Sequence, residues 1–452
     1  MKQPPSPKGQ PIIGHLKGFK NDPINFMLDS ARAHGDMVLF RLLNKKIYFL
    51  NHPDAIRHVL HNNHKNYHKS PGYRPLRLLG GMGIFTSDGE LWLKQRKLYQ
   101  PAFSHSSIKG YTDAVITNTN ELIANWSVAS EANEAVNISR EMMKVTMSII
   151  SETLFSSRID YESHLWDAIS YALKWINERA LKSPFVFPAN WPTAKNRKFH
   201  AAVDSLNELV YGIIEAKKKD NKNPNDLLSR FMDPGGDLKG LTPEELRDEV
   251  MTIFIAGHET SANVLMWVFY ELSRHPEVEA RVFEEVAALG ERELVYEDLH
   301  HLMYTAQVLN ETMRLYPPVW HLGRMNLTED EIGGYPIPKG SHVRMSPLVI
   351  HRHPDYWEKP DEFNPDRFYK KMQDGTYSKT ELEPPTPFTF IPFGAGPRLC
   401  AGRNFAMMEM VLILAKLVRQ FKIRPGQGKA IEMGPLMTLR PKKDVYLKFD
   451  QR

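Results

Sequence analysis

The sequence predicts a mainly helical fold with small β-sheets, an α+β class, on three observations. Helical patterning dominates from about residue 52 to residue 315. Short β-prone runs lie near both ends of the chain, around 37–50, 331–350 and 424–450. One long, well-capped helix occupies the middle. Helices must therefore carry the core, with the sheets as lesser additions.

Residues 37–50, MVLFRLLNKKIYFL, read as a hairpin in which two β-prone runs meet around Asn44-Lys45. The helical stretch that follows is broken by SPGYRPLRLLGGMG (70–83), KSPFVFPANWPTAK (182–195) and KKKDNKNPNDLL (217–228). Each break is rich in residues that end helices or turn the chain. Residues 331–350, EIGGYPIPKGSHVRMSPLVI, alternate short β runs with turn signals. A Pro-rich coil covers roughly 354–398, a helix NFAMMEMVLILAKLVRQFKI follows at 404–423, and β-like runs finish the chain. Repeats and low-complexity tails are absent, and the length suits two or three typical domains or one continuous body.

The long helix lies in LTPEELRDEVMTIFIAGHETSANVLMWVFYELSRHP. Thr242 suits the N-cap, Pro243 the first helical position, and Glu245 completes a capping box. Nothing interrupts the pattern before Pro276, which gives about 33 residues and ~50 Å. Ile253, Ala256, Gly257, Thr260 and Val264 share one face, and the middle of that face is small. Either another helix packs closely there or something flat and large lies against Ala256 and Gly257.

Composition narrows the function. The net charge of +5 is too mild to argue for nucleic acid, and no dense basic run with interleaved aromatics occurs. The N-terminus, MKQPPSPKGQPIIGHL, lacks an apolar core of signal-peptide length, and no stretch reaches the ~18 apolar residues of a membrane span. A cytoplasmic protein is expected. A single cysteine, Cys400, excludes any internal disulfide.

That cysteine lies in FGAGPRLCAG (393–402). A lone cysteine is most often a small buried hydrophobe, but its surroundings here favour the thiolate. Arg398 stands two residues before it, and a helix begins just after it. Gly394, Gly396 and Gly402 let backbone come close to a bulky object, and Phe393 supplies a flat wall. Such a thiolate suits an axial iron ligand. A dinucleotide fingerprint would need glycine where Leu399 stands, zinc or iron–sulfur sites need more cysteines, and this stretch has no histidine for a Cys–His nucleophile. A zinc-protease reading of HETSA fails at Ala262, where histidine is required.

FGAGPRLCAG resembles the haem-binding loop of the cytochrome P-450 family, with its pattern F-x-x-G-x-R-x-C-x-G. Five specified residues in ten positions arise by chance in roughly one of 10⁴ chains of this length. WLKQR (92–96), AGHET (256–260), ETMR (311–314) and NPDRF (364–368) follow the family's order, so the similarity spans almost the whole chain. The resemblance implies the cytochrome P-450 fold, with haem between the long central helix and the Cys-bearing loop, in a single haem domain without a fused reductase.

Carried over residue by residue, the resemblance makes Cys400 the proximal metal ligand of haem b (iron protoporphyrin IX), with Phe393 and Gly402 beside it. Arg398, Trp92, Arg96 and Arg324 would meet the haem propionates, and Ala256 and Gly257 would face the haem from the distal side. Thr260 and Glu259 would be the catalytic pair, the hydroxyl donating toward bound oxygen and the carboxylate resupplying protons through water. The plainer reading of Thr260 is a hydroxyl bonded back to the Ala256 carbonyl. Glu311, Arg314 and Arg367 would form a buried structural network; NPDRF carries Asp366 where the family often has Glu. Phe254, Ala256, Val319, Trp320, Leu322, Leu436 and Met437 would line the substrate pocket, together with the 70–85 and 182–195 segments.

The implied reaction is monooxygenation of a lipophilic substrate (a fatty acid, terpenoid or carotenoid-like molecule) by hydroxylation or epoxidation with O2. Only 52 residues follow Cys400, too few for a flavin or iron–sulfur domain. NAD(P)H-derived electrons would therefore arrive through a separate ferredoxin and ferredoxin reductase or a flavodoxin-type donor. Lys94, Arg96, Lys97, Arg398 and Arg403 would offer that donor a basic face. A monomer is expected. The alternatives are a peroxide-driven peroxygenase or isomerase on the same fold, and a haem-binding sensor without turnover.

Overall fold

The computed structural model describes residues 2–157, 163–182, 187–219, 226–233, 235, 240–372, 377–383, 386–425 and 430–452. Parts of the expected 182–195, 217–228, 354–398 and 424–450 segments lie outside the described residues. The main helices are α1 (Pro23–His34), α2 (Gly89–Tyr99), α3 (Thr112–Glu131), α4 (Ile138–Phe155), α5 (Ser163–Lys182) and α6 (Ala194–Lys219). They continue with α7 (Pro243–Leu272), α8 (Pro276–Ala287), α9 (Met303–Leu315) and α10 (Arg403–Gln420). The strands used below are β1 (Met37–Leu42), β2 (Lys45–Leu50), β3 (Tyr67–Lys69) and β4 (Val136–Asn137). The later ones are β5 (Leu322–Asn326), β6 (His342–Met345), β7 (Phe421–Arg424) and β8 (Tyr446–Gln451). Helices thus predominate, with small sheets.

The chain forms two compact units. The first comprises Met1–Tyr73, Asn310–Cys400 and Thr438–Arg440. Its sheet has the order β1-β2-β6-β5-β3, with β2 parallel to β6 and the other pairs antiparallel. The β1–β2 hairpin turns at Leu43-Asn44, one residue earlier than the expected Asn44-Lys45, since Leu42 pairs with Lys45. Leu43 accepts the left-handed φ of 57° that such a tight turn requires. One sheet face buries Met37, Leu39, Tyr48, Val343 and Met345 with Ile56, Val59 and Ile391. The other packs Phe40 and Phe49 with Phe19 and Phe26, whose rings lie 5.0–5.7 Å apart in the successive contacts Phe19–Phe40, Phe26–Phe40 and Phe40–Phe49.

The second unit comprises Arg74–Leu309, Ala401–Met437 and Pro441–Arg452. It is a helical assembly with the small antiparallel sheet β7-β8-β4. Trp126 of α3 meets Phe269 of α7, Phe421 of β7 and Phe449 of β8 at centroid distances of 4.3–6.1 Å, tying helices and sheet into one core. The expected helix at 404–423 ends at Gln420, because Phe421 to Arg424 pair with β8 instead. Periodicity continues through FKI, but burying Phe421 and Ile423 on alternate positions of a ladder serves the core better.

α7 is the organising element. Its N-terminus carries the expected capping box: Glu245 N–H donates to Thr242 Oγ1 at 3.2 Å, and Thr242 N–H donates to Glu245 Oε2 at 2.9 Å. Pro243 opens the helix and Ser273 ends it, giving 30 residues and a length of ~45 Å. From Val264 to Leu272 every residue is buried, so this half is surrounded by protein on all sides.

Candidate active site

The site residues of α7 occupy a break in its burial. Met251 to Phe254 are buried and His258 and Glu259 are buried, but Ala256 is exposed and Ile255, Gly257 and Thr260 are partly so. A helix enclosed along most of its length thus has one open step, and its floor is a methyl group. The two glycine explanations raised by the sequence separate here. A Cβ on Gly257 would lie 2.4 Å from Ile150 Cδ1 of α4, so this glycine permits close helix packing. Ala256 is the residue that faces open space.

Thr260 stands one turn further on. Its Oγ1 donates to the Ala256 carbonyl at 2.8 Å, the plainer of the two arrangements its sequence position allowed. The hydroxyl oxygen keeps lone pairs to accept a proton donor. Glu259 is turned away and buried. His258, which precedes them and was given neither role, is fully buried: Nδ1 meets the Phe254 carbonyl, and Thr146 Oγ1 of α4 donates to the His258 carbonyl at 3.1 Å. Burial lowers its pKa to about 4, so the ring is neutral. Phe254 is fully buried with its ring beside His258, which sets it in the core.

Trp92 and Arg96 lie one turn apart on α2, both half-buried, and Gly402 caps α10 with Phe103 at 3.5 Å from where its Cβ would lie. Leu436 and Met437, half-buried, follow the short strand Met433–Pro435. Of the expected basic face, Lys94 is engaged by Glu245 at 3.4 Å, so part of that charge is internally compensated.

Cys400 closes the last long segment of the other unit. It is exposed, and its N–H donates to the Phe393 carbonyl at 3.0 Å. Gly394 N–H donates to Ile391 O and Leu399 N–H to Gly396 O, both at 3.0 Å, so the loop is held by its own backbone. Gly394 and Gly396 have φ of 74° and 68°. Gly396 needs its missing side chain for a second reason: a Cβ there would sit 1.9 Å from the Leu60 carbonyl oxygen. Its close approach is to the chain itself, correcting the expectation that it opens the loop to a bulky object. Gly394 meets nothing nearer than 4.0 Å and remains open. Phe393 and Arg398 are half-buried, while Arg324 is buried on β5 with Nη1 donating to the Gly323 carbonyl at 3.0 Å. Val319 and Leu322 are half-buried beside buried Trp320, whose carbonyl accepts from Ser346 Oγ at 2.6 Å.

The Glu311–Arg314–Arg367 group assembles in this same unit. Arg314 Nε donates to Glu311 Oε2 at 2.7 Å and Nη2 to Oε1 at 2.8 Å, a bidentate pair with both side chains fully buried. The remaining donors reach the carbonyls of His351, Pro360 and Glu362 at 2.6–3.0 Å. Arg367 Nε and Asn364 N–H both donate to Glu311 Oε1, at 2.9 and 2.8 Å. One carboxylate thereby fastens α9 to the irregular segment around 358–367.

Sequence reading missed a second group of carboxylates, on the first half of α7. Asp248 Oδ2 accepts from Met82 N–H at 2.7 Å, and Glu249 Oε2 accepts from Ile84 N–H at 3.1 Å and Tyr99 Oη at 2.6 Å. The only hint was the glycine cluster of LLGGMG, which marks where backbone must approach something closely.

Each unit taken by itself carries a feature that fits a haem: in the first, the cysteine is exposed on a self-supporting loop; in the second, the central helix is open at one alanine step. Comparison with known proteins agrees. The family model described as Cytochrome P450 matches residues 4–449. Cyclooctatin synthase of Streptomyces melanosporofaciens is 33% identical over 441 residues, covering 96% of this chain and 93% of that protein. Cyclooctat-9-en-7-ol 5-monooxygenase of the same organism is 34% identical over 439 residues, covering 94% and 90%. Pentalenene oxygenase of Streptomyces avermitilis is 28% identical over 453 residues, covering 99% and 97%. Among the described residues no helix is long and apolar enough to cross a membrane. With the thiol loop, the open alanine step and a family match from end to end, this chain belongs to the cytochrome P450 family of monooxygenases.

Proposed function

We propose that this chain is a haem domain that hydroxylates or epoxidises a terpenoid-like molecule, with electrons from a separate ferredoxin or flavodoxin-type donor. The observation that carries the reading is the lone Cys400, exposed in a loop whose backbone is otherwise internally satisfied. Haem bound there supplies activation of O2, with one oxygen atom entering the substrate and the other leaving as water. The relatives' names, which specify pentalenene and cyclooctat-9-en-7-ol, favour cyclic terpenoid-like molecules over fatty acids or carotenoids.

The residues divide the work. Cys400 would hold the iron as thiolate, with the Phe393 ring beside the sulfur. Arg398, Trp92, Arg96 and Arg324 would hold the propionates by charge-assisted bonds. Ala256 leaves α7 open at this step. Thr260 would turn its hydroxyl from the Ala256 carbonyl into that opening as a hydrogen-bond donor, and Glu259 would resupply protons through water. Val319, Leu322, Leu436 and Met437 exclude water around the substrate. The protein acts in the cytoplasm as a monomer.

Purified protein should bind haem and give the carbon monoxide band of thiolate ligation, which Cys400→His should abolish. Pentalenene or cyclooctat-9-en-7-ol should shift the haem spin state and be oxygenated when NAD(P)H, ferredoxin and ferredoxin reductase are supplied. Product formed without an electron donor would instead favour the peroxide-driven reading, and colourless protein that refuses haemin would remove the basis of all of it.

A further inference from the structure

Arg344 stands on β6 in the middle of the first unit's five-stranded sheet. It pairs with Phe49 of β2 on one side and with Gly323 of β5 on the other, and residues paired in this way share a sheet face. That face is the aromatic one, and the guanidinium lies over the Phe19 ring at 5.7 Å. Among the described residues Arg344 makes no ion pair and no hydrogen bond. Its neighbours in the same unit differ. Arg314 places five donor contacts on protein oxygens, and Arg352 donates to the carbonyls of Leu348 and Leu315 and pairs with Asp361. Burial holds the pKa of Arg344 below the usual arginine value, with nearby Tyr73 offsetting only part, yet a guanidinium keeps its proton in a protein.

A second group without a partner lies beside it. His321 Nδ1 is buried and meets no hydrogen-bond partner among the described residues. Burial, then the Arg344 charge, holds the ring's pKa down to about 3, so it is neutral and Nδ1 can carry the proton as a donor. His342 follows on the aromatic face and adds no negative charge; its own pKa is lowered by burial, then by Lys45 and Arg344. Gly323 brings the chain close at this corner: a Cβ there would lie 2.4 Å from Ser70 Oγ and 3.8 Å from the Tyr73 ring. Arg344 and His321 are each only half-buried, so a group can reach them from one side. Arg324, the arginine expected at a haem propionate, pairs with Val343 and faces the opposite side of the sheet.

We propose that Arg344 and His321 form a carboxylate-binding site, and that the substrate is a lipophilic acid held there by its carboxylate. The guanidinium offers parallel N–H groups to the two oxygens, His321 Nδ1 adds a donor, and Phe19 supplies an apolar side. The substrate assignment rests on the monooxygenase reading above and narrows it to a terpenoid-like molecule that carries an acid group.

The test uses haem-loaded protein and two matched pairs, abietic acid with methyl abietate and dodecanoic acid with methyl dodecanoate. Within each pair only the charge is lost. Spin-state titration should show wild type preferring abietic acid over its ester at least tenfold. Arg344→Met should weaken acid binding roughly tenfold to a hundredfold and leave ester binding unchanged. Arg344→Lys, which keeps the charge without the fork, should fall between, and His321→Leu should lose up to about tenfold for the acid alone. Abietic acid should also raise the melting temperature of wild type but not of Arg344→Met, a readout independent of the haem. Acids bound no better than their esters in both pairs, or acid binding unchanged in Arg344→Met, overturn the site. Poorer haem retention in Arg344→Met also overturns it, because the guanidinium would then serve a propionate. If Arg344→Met does not fold, Arg344→Lys and His321→Leu decide the same points. Acids that bind through Arg344 but stay unoxidised when NAD(P)H, ferredoxin and ferredoxin reductase are supplied overturn the substrate assignment and leave the site standing. Oxygenation of pentalenene by a wild type that binds neither acid refutes this inference alone and leaves the reading above intact.

Discussion

Replacing Glu311 by Ala should cost more stability than any other single change outside the hydrophobic core. The carboxylate is fully buried and accepts from Arg314 twice, from Arg367 Nε and from Asn364 N–H. Its removal leaves the fully buried Arg314 guanidinium without its counter-charge, and breaking such a pair costs ~3–5 kcal/mol. The orphaned Asn364 N–H adds about 1–3 kcal/mol unless water enters. At about 2–4 °C per kcal/mol for a unit of 150–250 residues, the melting temperature should fall by at least 6 °C. Arg314→Lys should be nearly as damaging, since ammonium cannot replace a fork that reaches Glu311 and the carbonyls of His351, Pro360 and Glu362 together. Differential scanning calorimetry of haem-loaded protein, with a haem-retention assay beside it, measures both. If Glu311→Ala melts within 2 °C of wild type, the network holds nothing together and the reasoning fails.

Three further outcomes follow from single groups. Burial pushes the pKa of His351 down to about 3 and that of His258 to about 4, so both are neutral when folded and take protons when unfolded. Their contribution is therefore complete above pH ~6.5 and is lost as pH falls toward 4, at about 1.4 kcal/mol per unit for each ring. Urea titrations from pH 7 to 4 should show this, and His351→Gln should remove about half the slope. Glu409 on α10 has the opposite sign: burial raises its carboxyl to about 8, with the nearby Ser261 hydroxyl offsetting only part, so stability falls as pH rises from 4.5 to 8. Glu409→Gln should raise the urea midpoint at pH 8 and leave it unchanged at pH 4; an equal shift at both would refute a neutral acid. Thr260→Ala removes a hydroxyl bonded only to its own helix at Ala256, so stability should change by less than ~1 kcal/mol. Its consumption of NAD(P)H should divert to hydrogen peroxide, measured by peroxide assay, and Thr260→Ser should restore coupling.

Some elements were legible because their signals are local. Thr242, Pro243 and Glu245 write the start of α7 into four letters, since a capping box involves only neighbours along the chain. FGAGPRLCAG marks the thiol loop for the same reason. The β1–β2 hairpin was found within one residue from its two β-prone runs.

What sequence could not show depends on contacts between distant segments. Phe421 to Arg424 carry a helical pattern but join a strand 22 or more residues later, because pairing with β8 is available only after folding. Gly257 and Gly396 look alike as glycines beside a candidate site; their own neighbours, Ile150 and the Leu60 carbonyl, decide what each missing side chain is for. Asp248 and Glu249 carry no signal in the sequence; residues more than 160 positions earlier bring N–H groups to them. Composition and motif thus determined the cysteine, the long helix and the chemistry they imply. Packing alone decided which polar groups are buried, what satisfies them and which apolar side chains are left uncovered, because burial is a property of the folded surface rather than of any stretch of chain.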